Sequence, residues 1–409
     1  MLINQAFKYE LNPNDKQDRL LIKHCGVARF AWNWGLARRI ELYKNEEGKE
    51  RFTNAITQHK ELNALKKSEF SWMYDVSKCA PQGALRNLDR AYSNFYCGLK
   101  GSKKVGLPKF RKKGVHDSFN LNGSVRIVGN SVQLPRIGMV RTKESTSKFK
   151  GRILSATVSR EANRWYCSLG VEVDRVETQP ITREVVGIDL GLSEFAVISD
   201  GKGYRHIDAP KPLKKVLVKA KRLSKQQSRK QKSSSNRKKA NLRLAMQHRK
   251  VKNIRKDFLN KLTSELAKTK SVIVIEDLNV QGMQNKKRHL GRSIADVSWG
   301  EFRRQLEYKT VWYGSRLIKY PRFEPSSKKC SKCGAINAEL KLSDRIWICQ
   351  NCGYTHDRDE NASDNLRDYG LKILSTESSS GSNACGESVS PILNKAVLAE
   401  AGSKRVCNE

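Results

Sequence analysis

The sequence predicts a multidomain α+β protein in which a β-rich part carrying inserted helices precedes an α/β part. Three observations carry this expectation. Between residues 117 and 174 apolar and polar residues alternate in short runs broken by Gly, Asn and Pro, the pattern of successive strands. Over residues 14–100 the apolar side chains recur at helical spacing instead. From residue 185 two continuous apolar runs, VVGID and VIVIE, alternate with long helical patterns, as buried strands of an α/β sheet do. A chain of 409 residues is long enough for two or three domains.

Charge narrows the partners. The chain has 79 Lys+Arg against 41 Asp+Glu, a net +38, which points to a polyanion, nucleic acid before a membrane surface. No run of about 18 apolar residues occurs, and the start, MLINQAFKYELNP, has no apolar core of a signal peptide. A soluble, cytoplasmic protein without a membrane partner is expected. Four of the 10 Cys fall in two CxxC pairs and six are scattered, which fits a reducing compartment.

Taken in order, residues 2–11 alternate (Ile3, Ala6, Phe7, Tyr9, Leu11) and predict a strand, and Pro13-Asn14 opens a helical region. Leu20, Leu21, Val27, Phe30, Trp34, Leu36 and Ile40 form one stripe; Leu85, Leu88, Tyr92, Phe95 and Tyr96 form a second, over 85–99. These aromatics read as helix packing. The run from Gly101 to Gly114 is a basic loop with one embedded aromatic, and Lys103, Lys104, Lys109, Phe110, Arg111, Lys112 and Lys113 are its candidate nucleic-acid contacts. Strands are expected at 125–128, 132–134, 138–142, 153–158 and 165–173; the opening strand could join them, leaving residues 13–100 as a helical insertion into a small barrel.

Residues 185–198 predict two buried strands around a tight turn at Gly191 and Ser193, with Asp189 in the middle. That Asp either caps the turn through backbone N–H groups or holds a metal ion against a phosphate, because a bare buried carboxylate is costly. Lys211 to Lys256 holds 19 Lys+Arg and no acid. A helical hairpin turning at 233–235 is expected there; like charges in such a run repel unless a polyanion offsets them. Lys221, Arg222, Arg229, Lys230, Arg237, Lys238 and Lys239 are the candidate contacts. A further helix carries Phe258, Leu262 and Leu266.

The run from Ser271 to Leu278 repeats the first pattern, a buried strand with an acid, Glu276, at its C-terminal end, where catalytic groups of α/β sheets gather. A helix through Trp299, Phe302 and Leu306 and a short strand at 317–320 lead to Cys330-Ser-Lys-Cys333 and Cys349-Gln-Asn-Cys352, each followed by Gly. Two such knuckles complete a tetrahedral site of four thiolates, and a filled coordination sphere makes that zinc structural. The acids that follow, Asp357, Asp359, Glu360 and Asp364, are not separable by spacing, and acids at a helix start are favourable on electrostatic grounds alone. One of them with Asp189 and Glu276 gives the carboxylate set for two Mg²⁺ ions about 3.5–4 Å apart.

GIDLG at 187–191, VIVIEDL at 272–278, the pair CSKCG and CQNCG, and THDRDENA at 355–362 resemble the TnpB family of transposon-encoded RNA-guided DNA endonucleases, related to type V CRISPR effectors; PKFRKK at 108–113 and the segment 299–314 are similar as well. The resemblance runs from residue 2 to about 370. It implies an OB-like wedge barrel (1–12 plus 101–180) with a helical recognition insertion (13–100), and an RNase H-like RuvC nuclease domain (181–322 and 355–375, with the basic hairpin 211–256). A zinc ribbon (323–354) interrupts the nuclease domain, and a disordered tail (376–409) follows. It implies Asp189, Glu276 and Asp359 as catalytic, Mg²⁺-binding residues, Asp359 being the second Asp of DRD. It also implies Zn²⁺ at Cys330, Cys333, Cys349 and Cys352, a guide RNA from the transposon end, and double-stranded DNA beside a short adjacent motif as target. A monomer with one RNA, in the prokaryotic cytoplasm and near the nucleoid, is expected. Asp364, five residues beyond Asp359, points about 140° away on a helix and is left out of the site. A guide-dependent repressor has no use for buried acids at strand ends, and an actin-like ATPase, suggested by GIDLG alone, gives no role to the ribbon or to the charge. A strand-transferring transposase would use the same metals.

Overall fold

The computed structural model describes residues 1–101, 105–176, 178–283, 298–341 and 343–380. Lys103, Lys104 and the tail beyond Ser380 lie outside the described residues. The chain divides into two compact units, Met1–Arg175 and a second beginning at Val176.

In the first unit the opening strand β1 (Leu2–Asn12) is followed by α1 (Asp15–Asn45), α2 (Ala55–Ser68) and α3 (Cys79–Lys100). Asn14 starts α1: its Oδ1 accepts from the amide of Gln17 at 2.9 Å while Gln17 Oε1 accepts from the amide of Asn14 at 3.1 Å, so two unpaired donors are satisfied at once. The helix expected at 85–99 begins six residues earlier, because Pro81 sits in its first turn, where a missing N–H costs nothing. Six strands follow: β2 (Ser118–Leu121), β3 (Arg126–Val128), β4 (Ser131–Leu134), β5 (Gly138–Thr142), β6 (Arg152–Glu161) and β7 (Arg164–Asp174). They make one antiparallel sheet of order β2-β6-β7-β1-β5-β4-β3. The opening strand lies in its middle, with Leu2 opposite Asp174 and Leu11 opposite both Trp165 and Thr142. Leu21, Leu36, Leu85 and Leu88 from the helices and Leu121, Leu134 and Leu169 from the sheet are buried in one core.

The second unit is built on β8 (Val185–Asp189), β9 (Ala196–Ser199), β10 (Tyr204–Ile207), β11 (Val272–Glu276) and β12 (Arg316–Tyr320), in the order β10-β9-β8-β11-β12. The first three pair antiparallel; β11 runs parallel to both β8 and β12. Between β10 and β11 come α4 (Lys211–Ser228) and α5 (Ser235–Thr269), the expected basic hairpin, with Ser234 capping α5. The separate helix expected around Phe258 is the second half of α5: residues 235–269 contain neither Gly nor Pro, so nothing ends the helix. After the single turn α6 (Val280–Met283), α7 (Trp299–Tyr313) leads into β12. The ribbon hairpin β13 (Ile346–Ile348) and β14 (Thr355–Asp357) precedes α8 (Arg358–Ser380), which runs past residue 376, the expected start of the tail.

Phe195 meets Phe258 and Phe302 edge-on at 5.0 and 5.4 Å, joining β9's lead-in to α5 and α7. Lys309, only 4% exposed, donates to Asn260, Thr263, Ser264 and Gln305 and so pins α7 to α5; burial pulls its ammonium down to about 8. No helix among the described residues is long and apolar enough to cross a membrane.

Candidate active site and metal centre

The parallel register sets the site. Val272 pairs with Val185 and Ile275 with Ile188, so the last residue of each strand, Glu276 and Asp189, stands at the same end of the sheet. Both strands are buried up to that residue, and each acid is half-buried. The third acid is delivered by α8, which lies across β8 at a distance only glycine permits. A Cβ on Gly187 would overlap the backbone of Ser363 and Arg367 and come within 3.0 Å of Leu366 Cβ. Gly370 does the same from the helix side, where a Cβ would meet Val274 at 2.6 Å.

The four acids after the ribbon separate by what they touch. Asp357 Oδ1 accepts from the amides of Asp359 (2.9 Å) and Glu360 (3.1 Å), so it caps α8. Glu360 receives His206 Nε2 at 3.1 Å, and His206 Nδ1 lies 2.7 Å from Glu194. Asp364 accepts from Ser199 (2.5 Å) and Tyr204 (2.7 Å), tying α8 to β9 and β10, away from the strand ends as its 140° offset requires. Asp359 is the acid that bears on Asp189. Burial first, then the negative charges of Glu276 and Asp359, hold the Asp189 carboxyl well above its usual range; Arg358 and the Leu190 amide act the other way. Burial raises Glu276 too, against a hydrogen bond donated by Ser326 Oγ. The crowding of negative charge around Asp189 is what a divalent cation relieves, so the donor set fits Mg²⁺, a hard ion that prefers carboxylate oxygens. The four cysteines are the group among the described residues whose ligand atoms all lie within 4.8 Å of one another. The Asp359 oxygens are turned instead to Arg345 Nη1 (2.5 Å) and to Arg358 Nε and Nη2 (3.0 and 2.9 Å), and Arg345 Nη2 also donates to Ser193 at 3.2 Å.

The cysteines are free thiols whose sulfurs pair at 3.7 Å (Cys330–Cys352) and 3.6 Å (Cys333–Cys349). A tetrahedron with Zn–S bonds of about 2.3 Å has edges of about 3.8 Å, so the donor set fits a four-coordinate zinc closely. Two matching knuckles produce it. Gly334 and Gly353, with φ of +79° and +68°, return their amides to the carbonyls of Cys330 and Cys349 at 2.9 and 2.8 Å. His356 completes no ligand set; its Nε2 lies 3.0 Å from Cys330 Sγ, and its ring stacks on Trp347.

Comparison with known proteins places the chain. It is 33% identical over 401 residues to a Streptomyces pristinaespiralis protein named "Putative RNA-guided DNA endonuclease", covering 95% of this chain and 92% of the relative. The chain belongs to the TnpB (OrfB_IS605) family. A 31% identical Escherichia coli (strain K12) member, "Putative RNA-guided DNA endonuclease InsQ", covers 94% of each chain. The family model OrfB_IS605, described as "Probable transposase", matches residues 168–287, and "Cas12f1-like, TNB domain" matches 299–366, the span of α7, β12, the ribbon and the start of α8. A "Helix-turn-helix domain" model matches 1–49, where the structure has β1 and the single long helix α1. Among solved structures the fold resembles the chain in a Cas12f1-sgRNA-target DNA complex: TM-score 0.53, 13% identity, 90% of this chain and 99% of that one.

Family motifs name the three acids and four cysteines; they do not name the residues that hold them. Ser326, Arg345, Asn361 and Asn365 escape sequence reasoning, because one Arg among 79 Lys+Arg, or an Asn at a helix start, carries no signal by itself. Of the basic candidates, Lys109, Phe110, Lys112 and Lys113 are exposed, whereas Arg111 lies over the Trp32 ring at 3.6 Å and exchanges backbone hydrogen bonds with the Asn33 side chain. On the hairpin, Lys221, Arg222, Arg229, Lys230, Lys238 and Lys239 are exposed, and Arg237 bonds to the Lys230 carbonyl at 2.6 Å.

Proposed function

We propose that this chain is the RNA-guided, Mg²⁺-dependent DNA endonuclease of an insertion sequence. It would use a guide RNA from the transposon end to cut double-stranded DNA beside a short adjacent motif, in the prokaryotic cytoplasm. The observation that carries the reading is Asp189 and Glu276 side by side at the ends of parallel strands, with Asp359 brought to them by a helix seated on Gly187. The mixed five-stranded sheet with α8 across it supports an RNase H-like RuvC domain. The antiparallel sheet of the first unit, with α1 to α3 following its central strand, supports a wedge barrel with a helical insertion. The likeness of relatives named for RNA-guided DNA cleavage supports the substrate class.

Asp189, Glu276 and Asp359 would hold two Mg²⁺ ions, whose chemistry is to activate the attacking water and stabilise the leaving oxygen of an in-line phosphodiester hydrolysis. The chain's own part is orientation. Ser326 donates to Glu276, the Leu190 amide donates to Asp189, and Arg345 and Arg358 hold Asp359 while adding positive charge where a phosphate would approach. Cys330, Cys333, Cys349 and Cys352 would hold a structural Zn²⁺. The exposed Lys and Arg of residues 109–113 and of the α4–α5 hairpin would neutralise backbone phosphates, so affinity should fall steeply with salt.

The test is co-expression with the genomic flank, sequencing of the co-purifying RNA, and Mg²⁺-dependent cleavage of a plasmid library with randomised bases beside the matching target. Guide-matched, motif-dependent double-strand cutting that Asp189→Ala removes while RNA binding persists supports the proposal. A bound RNA without cutting would favour a repressor, and no specific RNA a transposase.

A further inference from the structure

We propose that Phe323 is a stacking platform for an unpaired base of the DNA strand entering the carboxylate site, a contact additional to the acids and metals. The inference rests on the endonuclease reading above. Phe323 is 95% exposed, the most exposed of the large apolar side chains among the described residues. A single exposed apolar residue is ordinary; the way this one is held is not. It occupies the third position of a turn closed by the Glu324 amide donating to the Pro321 carbonyl at 3.2 Å. Both flanks of the turn are fastened to the strand end that carries the catalytic acid. Arg322 donates to the Asp277 carbonyl at 3.0 Å and to its carboxylate at 2.6 Å, and Ser326 donates to Glu276 itself. The Tyr320 hydroxyl donates to Glu324. With Arg322 and Glu324 engaged by the protein on either side, the turn is held while the ring between them stands in solvent.

Its place fits a nucleic acid rather than a protein partner. Two residues separate it from Ser326, so its Cα lies within about 11 Å of the Cα of the residue touching Glu276. A strand drawn to the carboxylates would therefore pass this ring within a few nucleotides of them. The strand must be unpaired there to offer a base face, and stacking on an aromatic ring accepts any base. A sequence-tolerant grip beside the site suits an enzyme whose sequence choice lies in a guide.

The test compares wild type, Phe323→Ala, Phe323→Leu and Phe323→Trp as full-length complexes with guide RNA, in single-turnover cleavage of guide-matched DNA. The ring is exposed, so thermal midpoints should agree and report that folding is intact. Loss of the stack should slow cleavage about 5- to 150-fold in the Ala and Leu variants, with Trp near wild type. An abasic nucleotide moved one position at a time should give wild type the same loss at one position and cost Phe323→Ala nothing further there. In an Asp189→Ala background, 2-aminopurine at that position should be quenched only when residue 323 is aromatic. Equal cleavage by wild type and Phe323→Ala, or full activity with Leu, overturns the stacking proposal and leaves the endonuclease reading standing. Absence of guide-matched cutting by wild type overturns both.

Discussion

Gly187→Ala is the smallest change that should disable the site without touching a charged residue. A Cβ at this position overlaps the carbonyl oxygen of Ser363 and the amide nitrogen of Arg367, and lies 3.0 Å from Leu366 Cβ. Two of the three obstacles are backbone in the first turns of α8, so no rotamer change relieves them and the helix must withdraw. The Cβ would lie 2.0 Å from the Ser363 oxygen and ordinary contact begins at 3.4 Å, so the helix must retreat by more than 1 Å, a displacement that at a catalytic group can cost about 10²-fold in rate. Ser363 is one turn beyond Asp359, so the displacement reaches the carboxylate undiminished, while Asp189 and Glu276 stay on their strands. Overpacking of this kind costs about 1–3 kcal/mol, which leaves the protein folded. The assay is single-turnover cleavage of guide-matched plasmid at saturating Mg²⁺, beside a thermal melt and a guide-RNA binding measurement. The expected result is cleavage down by about two orders of magnitude with RNA affinity unchanged. Cleavage within about threefold of wild type would refute the idea that close seating of α8 sets the position of Asp359.

Other outcomes follow from the same geometry. In Mg²⁺-free buffer near neutral pH, Asp189→Asn should raise the thermal midpoint, since burial, Glu276 and Asp359 all oppose ionisation of Asp189. A raised carboxyl pKa contributes stability that is complete below the unfolded value near 3.8 and lost as pH rises through the folded one, so wild type should gain more on acidification than the variant; parallel pH profiles would refute this. Cys333→Ser, or a strong zinc chelator, should lower the melting midpoint of the second unit and abolish cleavage even in excess Mg²⁺, with metal content read by mass spectrometry; a zinc-free protein that still cuts would contradict it. Arg345→Ala should lower the Mg²⁺ concentration needed for a half-maximal thermal shift, because one of the two cations competing for Asp359 is gone; the metal-free midpoint should barely move, since Arg345 is half exposed and such pairs contribute about 0–1 kcal/mol. An unchanged or higher Mg²⁺ requirement would count against that competition.

The strand-end acids were legible because a carboxylate closing a run of four buried apolar residues has few harmless explanations, and the ribbon because four Cys at knuckle spacing have fewer. The α4–α5 hairpin was legible from the helical stripe of Leu213, Val216, Leu217, Ala220 and Leu223 and the serine cluster at 233–235. Other features depend on partners distant in sequence. Asp357, Asp359, Glu360 and Asp364 look alike along the chain, and they part only when one caps a helix, one meets His206, one meets Ser199 and Tyr204, and one faces Asp189. Arg111 reads as a phosphate contact in a basic loop until Trp32, far earlier in the chain, is found beneath its guanidinium. The continuity of α5 is hidden for a different reason: its apolar stripe fades over the basic half, although no residue there breaks a helix.

The site and the ribbon are joined by more than sequence adjacency, and two asparagines on one face of α8 show how. Asn361 Nδ2 donates to the carbonyls of Ser327 (3.3 Å) and Lys329 (2.8 Å), and its Oδ1 accepts from the Ser331 amide at 2.9 Å. One turn later Asn365 Nδ2 donates to the carbonyls of Ser326 (2.7 Å) and Lys329 (2.6 Å). These bonds grip the segment 326–331 from end to end. Its first residue donates to Glu276, and Cys330 is a zinc ligand candidate. From the other side of the ribbon, Arg345 reaches Asp359 and its carbonyl accepts from the Arg358 amide at 2.8 Å. The helix that presents one acid therefore also clamps the loop that orients another, and the metal-binding knuckle holds the far end of that loop. Both asparagines are buried; replacing Asn361 takes this partner from the Ser327 carbonyl and the Ser331 amide, and replacing Asn365 takes it from the Ser326 carbonyl, at about 1–3 kcal/mol for each group left without water. A zinc bound by the four cysteines would then be no separate module. It would fix the position of Ser326 and Arg345 together, and so reach two of the three carboxylates from a distance, without contributing a ligand to either.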